Sequence, residues 1–156
     1  MSSGKKIDEM DEKIIRALQK DARTNFSEVA KNCGVSLDTI IKRLNRMKMS
    51  GIVRGTTVLL DPRSLGFDCL ASLEIDVEYP HVIEMVEAIR TRPEVIFCTP
   101  SMGRHSIFAI AFLKNIDKLN QLKESIKGNP LVRGVNTSIW VDEFLLCPEN
   151  FEFKTA

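Results

Sequence analysis

The stretch NFSEVAKNCGVSLDTIIKRLNRM, residues 25–47, predicts two helices that meet across one tight turn. Asn25 is a suitable N-cap for the first helix, and Glu28 three positions later completes a capping-box-like pair. Gly34 favours the left-handed conformation that stops a helix, and Ser36 offers an N-cap for the next helix only two residues later. This arrangement is typical of a helix-turn-helix.

The second of these helices has two chemically different faces. Its apolar residues recur at about 100° per residue and predict a face that packs into a core, formed by Leu37, Ile40, Ile41, Leu44 and Met47. The same spacing upstream predicts a first helix over residues 8–20, from Ile7, Met10, Ile14, Ile15 and Leu18. Val29 and Ala30 are expected to face inward from the helix that lies between these two in sequence, so that the three helices share one small core.

The opposite face of the last helix is polar and basic, which suits the major groove of DNA. We expect contacts with DNA from Ser36, Thr39, Lys42, Arg43, Arg46, Lys48 and Arg54. The expected base readers are Thr39, Lys42 and Arg43. Arg46, Lys48 and Arg54 lie later on the helix or past it and suit phosphate, and the first-turn amides beside Ser36 also approach phosphates. The alternative interpretation is an ordinary solvated helix face.

Charge is distributed unevenly along the chain. Residues 1–60 contain 12 Lys or Arg against 7 Asp or Glu and carry +5, whereas residues 61–156 contain 10 against 14 and carry −4, in agreement with the net charge of +1. A basic half favours a polyanion such as nucleic acid. We therefore predict a helix-turn-helix domain at 1–60, a linker at 61–68 and a second domain at 69–156.

The stretch GIVRGTTVLL, residues 51–60, predicts a short strand or hairpin because β-branched residues stand between and after two glycines. Arg54 within it would flank DNA in the manner of a wing. Asp61-Pro62 cannot continue a strand interior, so the linker begins there.

Alternating and helical patterns follow one another beyond the linker. Strands are predicted at 70–77, 95–101, 107–113 and 132–141, with one helix opened by Pro80 and ended by Pro93 and another marked by Leu119, Leu122 and Ile126. The order β-α-β-β-α-β is that of the ferredoxin-like unit, an antiparallel sheet with both helices on one face, so the chain is α+β. The open face predicts a homodimer, built sheet against sheet or edge to edge.

Composition excludes several classes of protein. With 44% hydrophobic and 28% charged residues, no apolar run long enough to span a bilayer and no secretory signal at its start, the chain is expected to be cytoplasmic and without a membrane partner. Its four cysteines lie far apart and predict no metal site. Its two histidines, on different predicted elements, form no nucleophile-base set, so we expect no catalytic residues, no cofactor and no enzyme activity.

Several different short motifs are spread along nearly the whole chain. They are Ile7-Asp8-Glu9-Met10-Asp11, residues 18–23, Glu28-Val29-Ala30, Cys33-Gly34-Val35-Ser36, Arg43-Leu44, residues 51–55, Leu60-Asp61-Pro62 and Leu65-Gly66. Jointly these motifs resemble the Lrp/AsnC, or feast/famine, family. The resemblance implies a winged or simple helix-turn-helix joined to a ferredoxin-like regulatory domain, in dimers that often associate into octamers. It also implies a transcriptional regulator that binds promoter DNA and responds to an amino acid bound between dimers, near the loop joining the second and third strands.

That loop departs from the family pattern, which is a glycine, a variable residue, an aromatic residue and an aspartate. Here Gly103 is followed by Arg104, His105 and Ser106, and these four are the predicted effector-binding residues. Ser106 occupies the acidic position, where an aspartate can pair with an amino group. Arg104 and His105 suit a carboxylate or phosphate instead. The alternatives are ordinary turn residues and a regulator that responds to no ligand.

Two other functions are compatible with this architecture. A siroheme-decarboxylase-like enzyme looks similar but typically carries several histidines and aromatic residues around the second and third strands, where this chain has His105. An architectural protein would bend or wrap DNA without sensing an effector.

Overall fold

The computed structural model describes residues 7–142, 146, 147, 150, 151 and 153. The chain forms two compact units, divided between Leu59 and Leu60. The predicted division at residue 60 is close to this boundary, but residues 61–68 belong to the second unit rather than to a separate linker. The described residues beyond position 144 group with the N-terminal unit, and not with the second domain as predicted.

Three helices build the N-terminal unit: α1 (Glu9–Lys20), α2 (Phe26–Cys33) and α3 (Leu37–Met49). Their buried core contains Ile14, Val29, Ala30, Ile40, Leu44 and Met47, as the spacing predicted. The prediction was wrong for Leu37 and Ile41, each of which is 42% exposed. Five apolar residues span a wider arc of α3 than two short neighbouring helices cover, so the two at the edge of the arc face outward.

Capping residues set where these helices begin and end. Ser36 caps α3 by accepting a hydrogen bond from the amide of Thr39, and Gly34 ends α2 with φ +67°. Asn25 caps α2 through the amide of Ser27. A reciprocal capping box is found at the start of α1, where Asp8 accepts from the amide of Asp11 and the Asp11 side chain accepts from the amide of Asp8.

The predicted strand or hairpin at residues 51–60 is wrong. This segment turns at Gly51, with φ +74°, and then continues without pairing to any strand of the described chain. Val58, Leu59 and Leu60 are exposed. β-branched residues favour extended backbone, but a strand exists only where a neighbour satisfies its amide and carbonyl groups.

Residues 61–68 are ordered by a cap rather than extended as a spacer. Asp61 accepts hydrogen bonds from the amides of Arg63 and Ser64 and from the Ser64 hydroxyl, and a 3-10 turn spans Arg63–Leu65. Gly66 follows with φ +82°, and Pro62 is buried.

The second unit has the predicted β-α-β-β-α-β order. Its elements are β1 (Cys69–Val77), α4 (Val82–Arg90), β2 (Val95–Pro100), β3 (Ile107–Leu113), α5 (Ile116–Lys127) and β4 (Val132–Ile139). A 3-10 turn at Tyr79–His81 precedes α4. The strands form one antiparallel sheet in the order β2-β3-β1-β4, which leaves β2 and β4 at the edges.

Alternation along the central strands separates the two faces of this sheet. Residues 69, 71, 73, 75 and 77 of β1 pack with α4 and α5 in one buried core. The residues between them, Leu70, Ser72, Glu74 and Asp76, point to the face without helices.

Candidate DNA-binding and effector sites

The N-terminal turn of α3 presents polar side chains at the surface. The hydroxyls of Ser36 and Thr39 lie 2.9 Å apart, so the Ser36 cap is fixed from two sides. One turn later, Lys42 pairs with Asp38 at 2.8 Å, and both side chains are largely exposed. Hydrogen bonding to Asp38 raises the pKa of Lys42.

Arg43 and Arg46, two of the predicted DNA-binding residues, are paired with the start of α1. Arg43 Nη1 lies 2.6 Å from Asp8 Oδ2 and 3.0 Å from Asp11 Oδ1, and Arg46 Nη2 contacts Asp11 Oδ2. The side chain of Arg43 is 26% exposed and that of Arg46 is 57% exposed. Arg43 is therefore largely held against the start of α1, whereas Arg46 pairs with Asp11 and remains exposed.

Asp11 is completely buried, yet it is a charged residue that sequence reasoning missed. Two arginines and one backbone amide surround its carboxylate. These partners offset the free-energy cost of removing the charge from water. The signal was present in the sequence: Asp11 lies three, four and seven residues before Ile14, Ile15 and Leu18, on the apolar face of α1.

Lys48 and Arg54, the other predicted phosphate ligands, are exposed. Lys48 lies in the last turn of α3, and Arg54 lies past its end. Of the predicted DNA-binding residues, Thr39 and Arg43 are half-buried, and the others are exposed: Ser36, Lys42, Arg46, Lys48 and Arg54.

The loop between β2 and β3 is attached to β1 by Ser106. Its hydroxyl donates to the carbonyl of Val77 at 3.1 Å and accepts from the Val77 amide at 3.3 Å, while its own amide donates to Ile75. Ser101 closes the loop from the other side, through its hydroxyl to the His105 carbonyl at 2.9 Å. Ser106 therefore holds the loop on β1.

His105 is the centre of an acidic cluster on the helix-free face of the sheet. Its Nε2 lies 3.0 Å from Glu74 Oε2, its Nδ1 lies 3.2 Å from Asp76 Oδ1, and its side chain is only 13% exposed. Gly103 and Arg104, by contrast, are exposed. Sequence reasoning missed Glu74 and Asp76 as members of this site, although their alternation along β1 indicated a charged strand face.

Other chemistry has few candidates among the described residues. No group of three His, Cys, Asp or Glu residues in that part of the chain can hold a metal ion. Burial raises the pKa of the Cys69 and Cys98 thiols, which makes them poor nucleophiles. Within the same described ranges, no helix is both long and apolar enough to cross a membrane.

Comparison with known proteins agrees with this architecture. The AsnC-type helix-turn-helix domain model matches residues 7–48, and the Lrp/AsnC ligand binding domain model matches residues 70–147. Regulatory protein AsnC from Haemophilus influenzae is 39% identical over 120 residues, which cover 74% of this chain and 78% of the relative. An HTH-type transcriptional regulator from Pyrococcus horikoshii is 29% identical over 133 residues, covering 85% and 88% of the two chains.

Solved structures show the same fold. AsnC from E. coli superposes with a TM-score of 0.80 at 28% sequence identity, covering 90% of this chain and 95% of that one. A transcriptional regulator from Neisseria meningitidis, solved in complex with L-Met, superposes with a TM-score of 0.78 at 23% identity, covering 90% and 93%. The relatives are named as regulators rather than as enzymes. The predicted family and fold class are confirmed: this chain belongs to the Lrp/AsnC family of transcriptional regulators.

Proposed function

We propose that this regulator binds promoter DNA sequence-specifically through α3, and that a small molecule bound at the loop of residues 101–106 modulates that binding. The observation that carries the DNA-binding proposal is the exposed polar and basic surface of α3. Three buried side chains, Ile40, Leu44 and Met47, anchor the helix from behind. A helix fixed in this way can enter a major groove without losing its place in the core.

Six of the seven predicted DNA-binding residues take distinct roles in this proposal. Ser36 and the free amides of the first turn of α3 suit a backbone phosphate, and Lys42, Lys48 and Arg54 supply exposed positive charge. Arg43 and Arg46 already donate to Asp8 and Asp11, so only their remaining N–H groups are available to DNA.

Fluorescence anisotropy tests the proposal directly, with a duplex from upstream of the protein's own gene and a random duplex of equal length. We expect a preference of about 10³-fold or more for the upstream duplex, with affinity that falls steeply as salt rises. Lys42→Ala should lower the salt slope by about one, whereas Lys127→Ala, on α5 of the other unit, should leave it unchanged. Absence of binding to either duplex at low salt would contradict the proposal.

The effector proposal rests on the opposite charges that meet at the loop. Arg104 is exposed and can hold a carboxylate, while Glu74 and Asp76 offer oxygens to an ammonium group. These β1 carboxylates supply the acidic function that Ser106 lacks. An amino acid carries both groups, and the Neisseria meningitidis regulator was solved with one.

Calorimetric titration with the twenty amino acids tests the effector proposal. We expect one or a few to bind, Arg104→Ala to weaken binding by about tenfold or more, and Lys127→Ala to have no effect. Binding unaffected by Arg104→Ala would remove Arg104 from the site, and no binding by any amino acid would reject this class of effector.

We further propose that the chain works as a homodimer, from which octamers can assemble. β3 presents Phe108, Ile110 and Phe112 half-buried on the helix-free face, and Phe97 of edge strand β2 is 47% exposed beside them. An apolar sheet face of this kind favours contact with a second copy.

A further inference from the structure

We propose that Leu37 and Ile41 read thymine methyl groups in the major groove and thereby set part of the base preference of this regulator. The inference rests on the proposed DNA-binding function and adds two residues to it. Neither belongs to the polar set expected to contact DNA, because their spacing placed them in the core.

The first observation is that these two large apolar side chains lie on the surface of α3. Each is 42% exposed, whereas Ile40 and Met47 on the same helix are completely buried. Leu37 and Ile41 are four residues apart, so they lie on the same side of α3, one above the other. Both fall in the first two turns, where a groove helix contacts base edges.

The second observation is that the other flank of α3 is occupied. At about 100° per residue, Arg43 and Arg46 lie on one side of the buried stripe, and Leu37 and Ile41 lie on the other. Since the arginines pair with Asp8 and Asp11, that side faces α1. The exposed arc of α3 therefore runs from Leu37 and Ile41 across Lys42 to Arg46, with the two apolar residues at one side of it.

The third observation is the charge around the pair. Lys42 and Lys48 are exposed on this side of α3 with Asn45 between them, and Asp38, also exposed, is paired with Lys42. Positive charge at the rim suits the phosphates that line a groove, while the apolar centre needs a partner without charge. This combination fits DNA better than it fits another protein's apolar surface.

Thymine is the base that supplies such a partner. Its C5-methyl projects into the major groove, where it distinguishes a T·A pair from the other three arrangements. Leucine and isoleucine gain from burying that methyl against their own methyl groups and gain nothing from polar base edges. Loss of one buried methyl corresponds to about a threefold to fivefold change in affinity.

The test compares thymine with uracil, which differs only in lacking the methyl. Duplexes preferred by the full-length protein are first selected from a randomised pool, and each thymine of the preferred duplex is then replaced singly by deoxyuridine. Anisotropy gives the affinity of the wild type, Leu37→Ala, Ile41→Ala and the more conservative Ile41→Val. Ile83→Ala provides the matched control, because Ile83 is an exposed isoleucine on α4 in the other unit.

We expect uracil at one or two positions to weaken wild-type binding by about threefold to fivefold. Ile41→Ala or Leu37→Ala should bind the thymine and uracil duplexes equally at those positions, Ile41→Val should keep part of the difference, and Ile83→Ala should keep all of it. One contrary result is a preferred duplex whose affinity for the wild type is unchanged by uracil at every position, and another is that both alanine variants retain the full difference. Either result overturns this inference but leaves the proposed sequence-specific function standing. If no duplex is preferred at all, the proposed sequence-specific function fails with it.

Discussion

Asp11 links the start of α1 to α3. Its buried carboxylate receives Arg43 and Arg46 of α3 and the amide of Asp8. Removing the charge leaves two arginines without their shared acceptor, although both can turn toward water because neither is fully buried. The residue therefore stabilises the N-terminal unit and fixes how the arginines are presented.

We predict that Asp11→Asn lowers the free energy of unfolding by about 1–3 kcal/mol, the range for a broken hydrogen-bonded buried group. Asp38→Asn is the matched control, since Asp38 also pairs with a cation of α3 but in an exposed position, and should cost less than about 1 kcal/mol. Urea-induced unfolding followed by circular dichroism measures both. Equal effects of the two substitutions would show that Asp11 has no special structural role.

Asp8 makes the same contact sensitive to pH. Hydrogen bonding from the Arg43 guanidinium, supported by the Asp11 amide, lowers the pKa of Asp8 below its ordinary value of 3.8. A lowered pKa in the folded state means that ionised Asp8 stabilises the fold above about pH 4, and that this contribution disappears as the pH falls below that value.

Asp8→Asn isolates this charge, because asparagine is also a good N-cap. We expect the wild type to be more stable than Asp8→Asn near pH 7, and the difference between them to shrink steadily as the pH is lowered below 3.8. Urea midpoints of both proteins at several pH values provide the measurement. A difference that persists unchanged at pH 3 would mean that the Asp8 charge is not its source.

At the scale of elements, the turn between α2 and α3 depends on one glycine. Gly34 has φ +67°, a conformation that costs an L-residue with a side chain about 1–2 kcal/mol. Nothing lies within 4 Å of a Cβ added there, so the strain would come from the backbone and not from a clash. The turn between α2 and α3 therefore uses a backbone conformation that glycine adopts without strain.

Gly34→Ala should therefore destabilise the protein by about 1–2 kcal/mol. Gly55→Ala adds the same methyl in open space at a residue without positive φ, and should leave stability unchanged or slightly raised. Thermal unfolding of the two variants separates them. A cost at Gly55 as large as that at Gly34 would show that backbone conformation is not the cause.

The elements that the sequence predicted well are those whose pattern reports local structure. Ser36 and Gly34 mark the ends of α2 and α3 because capping uses groups within a few residues. The strand predicted at residues 51–60 was wrong because β-branched residues indicate extended backbone but cannot supply the neighbouring strand that a sheet requires. Leu37 and Ile41 were assigned to the core because periodicity gives the direction of a face and not its width.

At the scale of the whole molecule, the described residues of the second unit leave apolar side chains on the helix-free face of the sheet, and strands β2 and β4 at its edges. Phe97 on edge strand β2 lies within 6.3 Å of Phe108 on β3, ring centre to ring centre, at the border of that face. A charge placed at this border would oppose contact with a second copy.

We predict that the full chain sediments as a dimer or larger assembly at micromolar concentration and that Phe97→Glu shifts it toward the monomer. Ile83→Glu introduces the same charge on the outer side of α4 and should leave the assembly intact. Sedimentation velocity distinguishes these outcomes. A monomeric wild type would reject the dimer, and equal behaviour of the two variants would place the interface elsewhere.

The sequence by itself determined the helix-turn-helix, the β-α-β-β-α-β order and the family, because caps, periodicity and short motifs are encoded by residues close together in the chain. Tertiary structure alone decided which charged groups meet. Arg43 reaches Asp11 across 32 positions, and His105 reaches Asp76 across 29. Such pairs depend on how helices and strands pack. The type of a residue alone does not indicate which distant side chain it will contact in the folded protein.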